Sequence, residues 1–195
     1  MEKLEKLLNR FIGPIAEKMS NNDVIQSVAE GFMRTGPVTF GVCIFVILGN
    51  LPIDGYSDWL ISVGLKAHFD AISNASLNVL ALYISFTVAY AFAKRKGDNP
   101  LSCGVLSLLS FLLIIPQTVE GKDGIINAFN VTYLSGTGIL VALIFAIITG
   151  YMFHFLSAKG LKFKMPEGVP PMVSESFEPI FVSMIIVAFA FLVRV

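Results

Sequence analysis

Residues 161–179 read Leu161-Lys-Phe-Lys-Met-Pro-Glu-Gly-Val-Pro-Pro-Met-Val-Ser-Glu-Ser-Phe-Glu-Pro179, a polar, proline-rich stretch between two apolar runs. Those runs are residues 133–156 before it and residues 179–195 after it. Proline lacks a backbone N–H donor and restricts the residue before it, so three prolines exclude a regular helix interior here: Pro166, Pro170 and Pro171. The stretch is therefore predicted to be a polar linker between two membrane-spanning helices.

The composition places the whole chain in a membrane. Of its 195 residues, 55% are hydrophobic and only 14% are charged, whereas soluble domains are about 25% charged. The net charge of zero gives no indication of a nucleic-acid partner. Cys43 and Cys103 both fall in apolar segments, so we interpret them as small membrane-embedded side chains without disulfide or metal-site spacing.

Five apolar runs indicate the spans: residues 38–53, 77–93, 101–116, 133–156 and 179–195. A straight span needs about 20 residues, and the first and third runs are shorter than that. The predicted fold class is all-α, a polytopic membrane helical bundle of about five transmembrane helices preceded by N-terminal amphipathic helices.

The N-terminal segment has an apolar stripe at helical spacing, formed by Leu4, Leu7, Leu8, Phe11, Ile12 and Ile15. A second helix is predicted from Asp23, which with Gln26 resembles a capping box. Two interpretations stay open: helices packed on other protein, or helices lying in the membrane interface. We therefore predict two parts, amphipathic helices over residues 1–36 and a transmembrane part over residues 37–195.

The basic residues predict the orientation, because short cytoplasmic loops are rich in lysine and arginine. With a cytoplasmic N-terminus, most of the 14 basic residues fall inside, including Lys94, Arg95 and Lys96 after the second run. The loop over residues 54–76 then lies outside. It is apolar enough to predict a short interfacial helix, with Tyr56 and Trp59 at the membrane boundary.

Motifs that carry chemistry are not found. There is no phosphate-binding glycine loop, and His68 and His154 have no partner at ligand spacing, so both are interpreted as ordinary interfacial histidines. The only charge near a span interior is Arg194, whereas transport paths are usually marked by intramembrane charges. Uncharged polar residues of the runs are predicted to form helix-to-helix hydrogen bonds: Asn78, Ser85, Thr87, Ser107, Ser110 and Thr149. Close helix approach in the fourth run is predicted from Gly136, Gly138, Ala142 and Ala146. No catalytic, substrate-binding or metal-ligating residue and no cofactor is predicted.

Three segments nevertheless carry a family resemblance. Lys164-Met-Pro-Glu-Gly-Val-Pro-Pro171 with Val173-Ser174 and Ser176-Phe177 resembles the segment before the fifth span in the membrane C component of bacterial sugar phosphotransferase systems, of the lactose/cellobiose (diacetylchitobiose) type. Residues 1–9 with 14–18 are similar to the opening helix of that family. Tyr133-Leu-Ser-Gly-Thr-Gly138 with Ala146-Ile147 is similar to its fourth span.

The resemblance implies a multi-pass protein of the bacterial plasma membrane and a transporter about twice this length. In that family, the first five spans form the scaffold and the homodimer interface. The second half carries the sugar site, with a histidine and a glutamate in a Gly-Ile-Asn-Glu-Pro-like motif that this sequence lacks. The partner B component phosphorylates the sugar, so the family is a phosphohistidine–sugar phosphotransferase component, although whether this chain takes part in catalysis stays open.

The chain is thus expected to be the N-terminal half of a permease for a β-disaccharide. The alternative is a truncated, non-transporting protein that acts only as a dimerisation or interaction scaffold. The linker residues of the family motif are Pro166, Glu167, Pro170 and Pro171, with no role assigned. For Glu167, two interpretations stay open: a contact with the B component or the moving half, or a solvated loop glutamate.

Overall fold

The computed structural model describes residues 17–121, 124–161, 163, 166, 168 and 170–195. Its longer helices are α1 (Asp23–Gly49), α3 (Leu65–Ala75), α4 (Leu80–Lys96), α5 (Pro100–Ile114), α7 (Ile139–Ala158) and α9 (Ile180–Arg194). Shorter helices are α2 (Tyr56–Ser62), α6 (Val131–Leu134) and α8 (Pro171–Phe177), and two 3₁₀ turns precede α4 and α7 at Leu77–Val79 and Gly136–Gly138. The all-α bundle predicted from the sequence is confirmed.

Helix α4 is the centre of the bundle. Helices α1, α5 and α7 all pack on it, and α9 packs on α5 and α7. Small side chains make this possible, because without a hydrophobic driving force between helices in lipid, close backbone approach supplies the packing. Eight residues of α4 are buried, and half of them are alanines: Ala81, Ile84, Ser85, Val88, Ala89, Ala91, Phe92 and Ala93.

The first apolar run begins earlier than the sequence indicated. One continuous helix of 27 residues, α1, contains both the predicted second amphipathic helix and the first run as far as Gly49. Pro37 lies inside it, and membrane-spanning helices tolerate proline where neighbouring groups satisfy the freed backbone carbonyl. The predicted cap at Asp23 is also wrong by one residue: the Asn22 side chain accepts hydrogen bonds from the backbone N–H groups of Val24 and Ile25. The boundary predicted at residues 36 and 37 falls inside α1.

Within the described residues, four helical segments are long and apolar enough to cross a membrane: Asp23–Gly49, Leu65–Lys96, Gly136–Ala158 and Met172–Arg194. The fifth apolar helix, α5, is shorter, with 15 residues. The predicted loop over residues 54–76 holds two helices, α2 and α3, where one had been predicted, and α3 is part of the segment Leu65–Lys96. The aromatic rings of Tyr56 and Trp59, the two residues predicted to lie at the membrane boundary, have centroids 5.8 Å apart.

A β-hairpin follows α5 and was not predicted. Strand β1 (Thr118–Gly121) pairs antiparallel with β2 (Gly124–Asn127). Gly124 has a φ of 119°, which glycine adopts without strain. Glycine is also needed at position 138, in the 3₁₀ turn before α7, because a Cβ there would lie 1.8 Å from the carbonyl oxygen of Tyr133. The predicted close approach to another helix is found at Gly138, where the same Cβ would lie 3.4 Å from Ala81 Cβ of α4, and at the fully buried Ala142 and Ala146. It is not found at Gly136, where a Cβ would meet nothing within 4 Å.

Candidate functional site

The charged side chains gather at one end of the bundle, called here the polar end. It comprises the start of α1, the end of α4, the end of α7 and the start of α8. The Glu30 carboxylate accepts from Arg34 at 2.7 Å and from Arg95 at 2.9 Å, and Lys96 pairs with Asp23 at 2.5 Å. Because these side chains are partly exposed, solvent screens each pair, and each contributes little to stability by itself. Together they fix the start of α1 against the last turn of α4.

A second pair at the polar end was missed by the sequence argument. His154 Nδ1 lies 2.8 Å from Asp98 Oδ2, and only 10% of the Asp98 side chain is exposed. The bond joins the turn after α4 to the last turns of α7. Asp98 follows the basic residues 94–96 and His154 lies near the end of the fourth apolar run, so the predicted orientation places both on the cytoplasmic side, which is the one signal that could have paired them. His154 is therefore more than an ordinary interfacial histidine, whereas His68 is exposed on α3.

Two spaces open beside this pair. The smaller is a cavity of about 20 Å³ lined by Asp98, Asn99, Phe153, Ser157, Glu178 and Pro179. That volume holds about one water molecule, and the lining offers polar partners for it. The larger is an open cleft of about 600 Å³ between the α4–α5 turn and α8, whose walls include Tyr90, Leu101, Met172 and Glu175.

The predicted linker reaches the polar end beside these spaces. The Phe163 N–H donates to the Glu178 carbonyl at 2.9 Å, and Asn99 Nδ2 donates to the Glu175 carbonyl at 3.3 Å. Pro170 precedes α8, and Pro171 is its first residue, where a missing N–H costs nothing. The backbone at Pro166 is exposed and irregular. Glu167 lies outside the described residues, as do the N-terminal residues 1–16.

The predicted polar contacts between spans are found for three residues. Ser85 Oγ and Ser107 Oγ are 3.0 Å apart, and Ser107 also donates to the Ser85 carbonyl. Thr87 donates to the Gly31 carbonyl of α1 at 3.0 Å. By contrast, Ser110 bonds within its own helix, and the Asn78 amide bonds to Asn74, four residues earlier. These contacts connect α4 to α5 and to α1.

Three further residues singled out in the sequence are Arg194, Cys43 and Cys103. Arg194 donates to the Leu113 carbonyl at 2.7 Å, at the opposite end of the bundle from Asp98. Cys43 is exposed on α1 and Cys103 is buried in α5. Among the described residues, no group of three or more histidine, cysteine or acidic side chains could hold a metal ion. The polar end therefore offers anchoring and docking contacts between helices and no assembled nucleophile or metal centre in the part of the chain that the structure describes.

The family to which this chain is similar can now be given. Residues 29–195 match the family described as "Phosphotransferase system, EIIC". The galactose-specific EIIC component of Lactococcus lactis subsp. cremoris (strain MG1363) is 35% identical over 100% of this chain and 47% of that protein. The cellobiose-specific EIIC component of Geobacillus stearothermophilus is 31% identical over 91% of this chain and 42% of that protein.

A solved structure is similar over the same extent. It is the crystal structure of the transporter ChbC, the IIC component of the N,N'-diacetylchitobiose-specific phosphotransferase system. The TM-score is 0.84 at 30% sequence identity, covering 96% of this chain and 46% of that one. The chain spans about half the length of the relatives it matches.

Proposed function

The chain belongs to the phosphotransferase system EIIC family, and from that premise we propose that it is the N-terminal part of a sugar permease. The permease takes up a β-disaccharide of the cellobiose, lactose or chitobiose type at the expense of phosphoenolpyruvate. The observation that carries the proposal is the match to ChbC, with a TM-score of 0.84 and 30% identity over 96% of this chain. At 30% identity, the similarity includes the sequence as well as the fold.

We further propose how the chain is divided and placed. Residues 1–36 are the amphipathic N-terminal part, and residues 37–195 are the scaffold half of the permease. The polar end faces the cytoplasm of a bacterial cell, because it carries Lys94, Arg95 and Lys96. The phosphotransferase B component docks from the same side and supplies the phosphate for the sugar.

The scaffold is also proposed to form a homodimer. One face of α1 supports this: Met33, Phe40, Ile44 and Ile47 recur at helical spacing and are 55–80% exposed. Exposed apolar side chains of this size contact either lipid or another protein in a membrane. A non-transporting scaffold that only dimerises is the alternative, and it rests on this same face.

The proposed transport is tested with the complete reading frame that carries this chain, expressed in a bacterium without its own β-disaccharide permease. Membrane vesicles supplied with phosphoenolpyruvate, the general phosphotransferase enzymes and the B component should accumulate phosphorylated cellobiose, chitobiose or lactose. Galactose belongs in the panel, because the relative from Lactococcus lactis is named for it. Vesicles that phosphorylate none of these sugars, yet contain cross-linked dimers, would favour the scaffold alternative.

A further inference from the structure

Helix α8 lies at the polar end and is held only lightly by the rest of the bundle. None of its described side chains is buried, and the Met172 side chain is 81% exposed. Among the described residues, no other helix packs extensively on α8. Its hydrogen bonds there are local except one, in which Asn99 Nδ2 donates to the Glu175 carbonyl at 3.3 Å. The position of α8 beside the α4–α5 turn therefore depends chiefly on this one side chain.

Asn99 is itself fixed in place by a second hydrogen bond. Its Oδ1 accepts from the backbone N–H of Ser102 at 3.1 Å, which caps the start of α5. The preceding residue, Asp98, is bonded to His154 of α7 at 2.8 Å. A side-chain amide has an acceptor and two donors, so Asn99 caps one helix and holds another at the same time. Aspartate and serine cap as well as asparagine does, but aspartate has no donor and serine is too short to reach the Glu175 carbonyl.

The two spaces at the polar end share a wall at the junction of α8 with α9. Asp98, Asn99 and Glu178 line both the cavity of about 20 Å³ and the open cleft of about 600 Å³. Pro179, directly before α9, is buried, so this end of α8 is fixed. A rotation of α8 about Pro179 would move Glu178 out of the shared wall. The cavity beside the Asp98–His154 pair would then open into the cleft.

We propose that α8 is a strap that closes the polar end over the Asp98–His154 pair, with Asn99 as its latch. While Asn99 donates to the Glu175 carbonyl, α8 shelters the pair from water. Once this bond breaks, α8 turns away about Pro179, and water reaches the pair through the cleft. Segments with few buried contacts and solvent-exposed hydrogen bonds open at low free energy, and α8 has both properties. The strap does not depend on the proposed transport.

Hydrogen exchange, read by mass spectrometry, tests the latch on the protein expressed from the complete reading frame and purified in mild detergent. In the unmodified protein, the backbone amides of α8 should be partly protected. Asn99→Asp and Asn99→Ser should speed exchange in α8 about fivefold, the factor for one ordinary hydrogen bond, and leave the start of α5 unchanged because they keep its cap. Asn130→Ser is the matched control, because the Asn130 side chain caps α6 in the same way and bonds no other helix among the described residues. It should leave exchange in α8 unchanged.

A cysteine in the cavity tests the sheltering. Ser157→Cys, with the exposed Cys43 replaced by serine, puts a thiol in the cavity lining, while Cys103 stays buried. A water-soluble maleimide should label this thiol about fivefold faster when Asn99→Ser is added, since labelling follows the opening of α8. Unchanged exchange in α8 with both Asn99 variants would overturn the latch, as would unprotected α8 amides in the unmodified protein. Faster exchange in α8 with unchanged labelling of Ser157→Cys would overturn the strap, and circular dichroism confirms that each variant is folded.

Discussion

Helix α1 and the segment Leu65–Lys96, which ends in α4, have the same mean hydropathy, but they are buried to different extents in the structure. In the most apolar window of α1 only 11% of residues are buried, whereas 44% are buried in that of Leu65–Lys96. Hydropathy therefore identifies both as spans and says nothing about which one forms the centre of the bundle. In lipid, burial follows from how closely backbones can approach, and so from side-chain size.

The residue types on the two helices explain the difference. The contact face of α4 alternates alanines with larger side chains such as Phe92, which is completely buried against α7. Helix α1 approaches α4 closely only where it carries small residues, at Ser27, Gly31 and Thr35. Its other faces carry large apolar side chains that are exposed, such as Phe40, which is 80% exposed.

The largest expected effect contrasts two phenylalanines. Phe92→Ala opens a cavity between α4 and α7, where the ring packs against Gly150 and lies 4.7 Å from Tyr151. The free energy of unfolding should fall by about 3 kcal/mol, the low end for buried phenylalanine, since transfer from water contributes little between helices in lipid. Phe40→Ala should change the free energy of unfolding of the monomer by less than about 0.5 kcal/mol. Unfolding in mixed detergent micelles, followed by circular dichroism, measures both; equal effects would mean that α1 is as tightly packed as α4.

Two glycines within α1 sharpen the contrast further. A Cβ at Gly31 would lie 2.3 Å from Val88 Cγ2 and 2.9 Å from Val88 Cα, so part of the clash is with backbone. A Cβ at Gly41 would meet nothing within 4 Å. Gly31→Ala should therefore cost about 2 kcal/mol by pushing α1 off α4, while Gly41→Ala should be neutral or slightly stabilising through helix propensity. The same unfolding experiment measures the free energy of unfolding of both variants. An unchanged value for Gly31→Ala would show that α1 does not pack closely on α4 at Gly31.

These contrasts also show how far the sequence predicts the fold. Each of the four described segments that are long and apolar enough to span a membrane contains most of one of the five apolar runs, because length and composition suffice for that, whereas the count of five spans is not confirmed, since α5 is shorter. The sequence predicted two separate helices, one from Asp23 and a span from residue 38, whereas the structure joins them in α1. In the structure Arg34 is neutralised by Glu30 one turn earlier, and proline is tolerated, so neither ends the helix. The hairpin at residues 118–127 lacks a strong alternating pattern and was missed.

The candidate site was harder to predict for a different reason. Lys96 with Asp23 and His154 with Asp98 are separated by 73 and 56 residues, respectively. Such pairs depend on which spans are neighbours, and one sequence does not contain that information directly. The sequence predicted that Ser85 and Ser107 form hydrogen bonds between helices, but not that they bond each other. That pairing requires knowing that α4 and α5 are adjacent.

Two of the cross-helix pairs at the polar end give a third comparison. His154→Ala leaves the Asp98 carboxylate nine-tenths buried without its hydrogen-bond partner, which should lower the free energy of unfolding by about 1.5 kcal/mol. Lys96→Gln breaks a partly exposed pair with Asp23 and should lower the free energy of unfolding less than His154→Ala does, because solvent screens that pair. Thermal unfolding of both variants at the same salt concentration separates them. If Lys96→Gln is the more harmful, the α1–α4 contact matters more at this end than the α4–α7 contact.

The smallest expected effect concerns the serine pair between α4 and α5. Ser85 and Ser107 are both completely buried and exchange hydrogen bonds at 2.9–3.0 Å, so their hydroxyls have no water as an alternative partner. Even so, a double-mutant cycle with Ser85→Ala and Ser107→Ala should give a coupling free energy of only about 0.6 kcal/mol, since a freed serine hydroxyl in lipid can bond its own helix backbone. Ser110, one turn from Ser107 and equally buried, already does so by donating to the Leu106 carbonyl. A cycle of Ser85→Ala with Ser110→Ala is the control and should show no coupling. A coupling free energy above about 1.5 kcal/mol for the Ser85–Ser107 pair would mean that polar contacts, and not small side chains, hold α4 at the centre of the bundle.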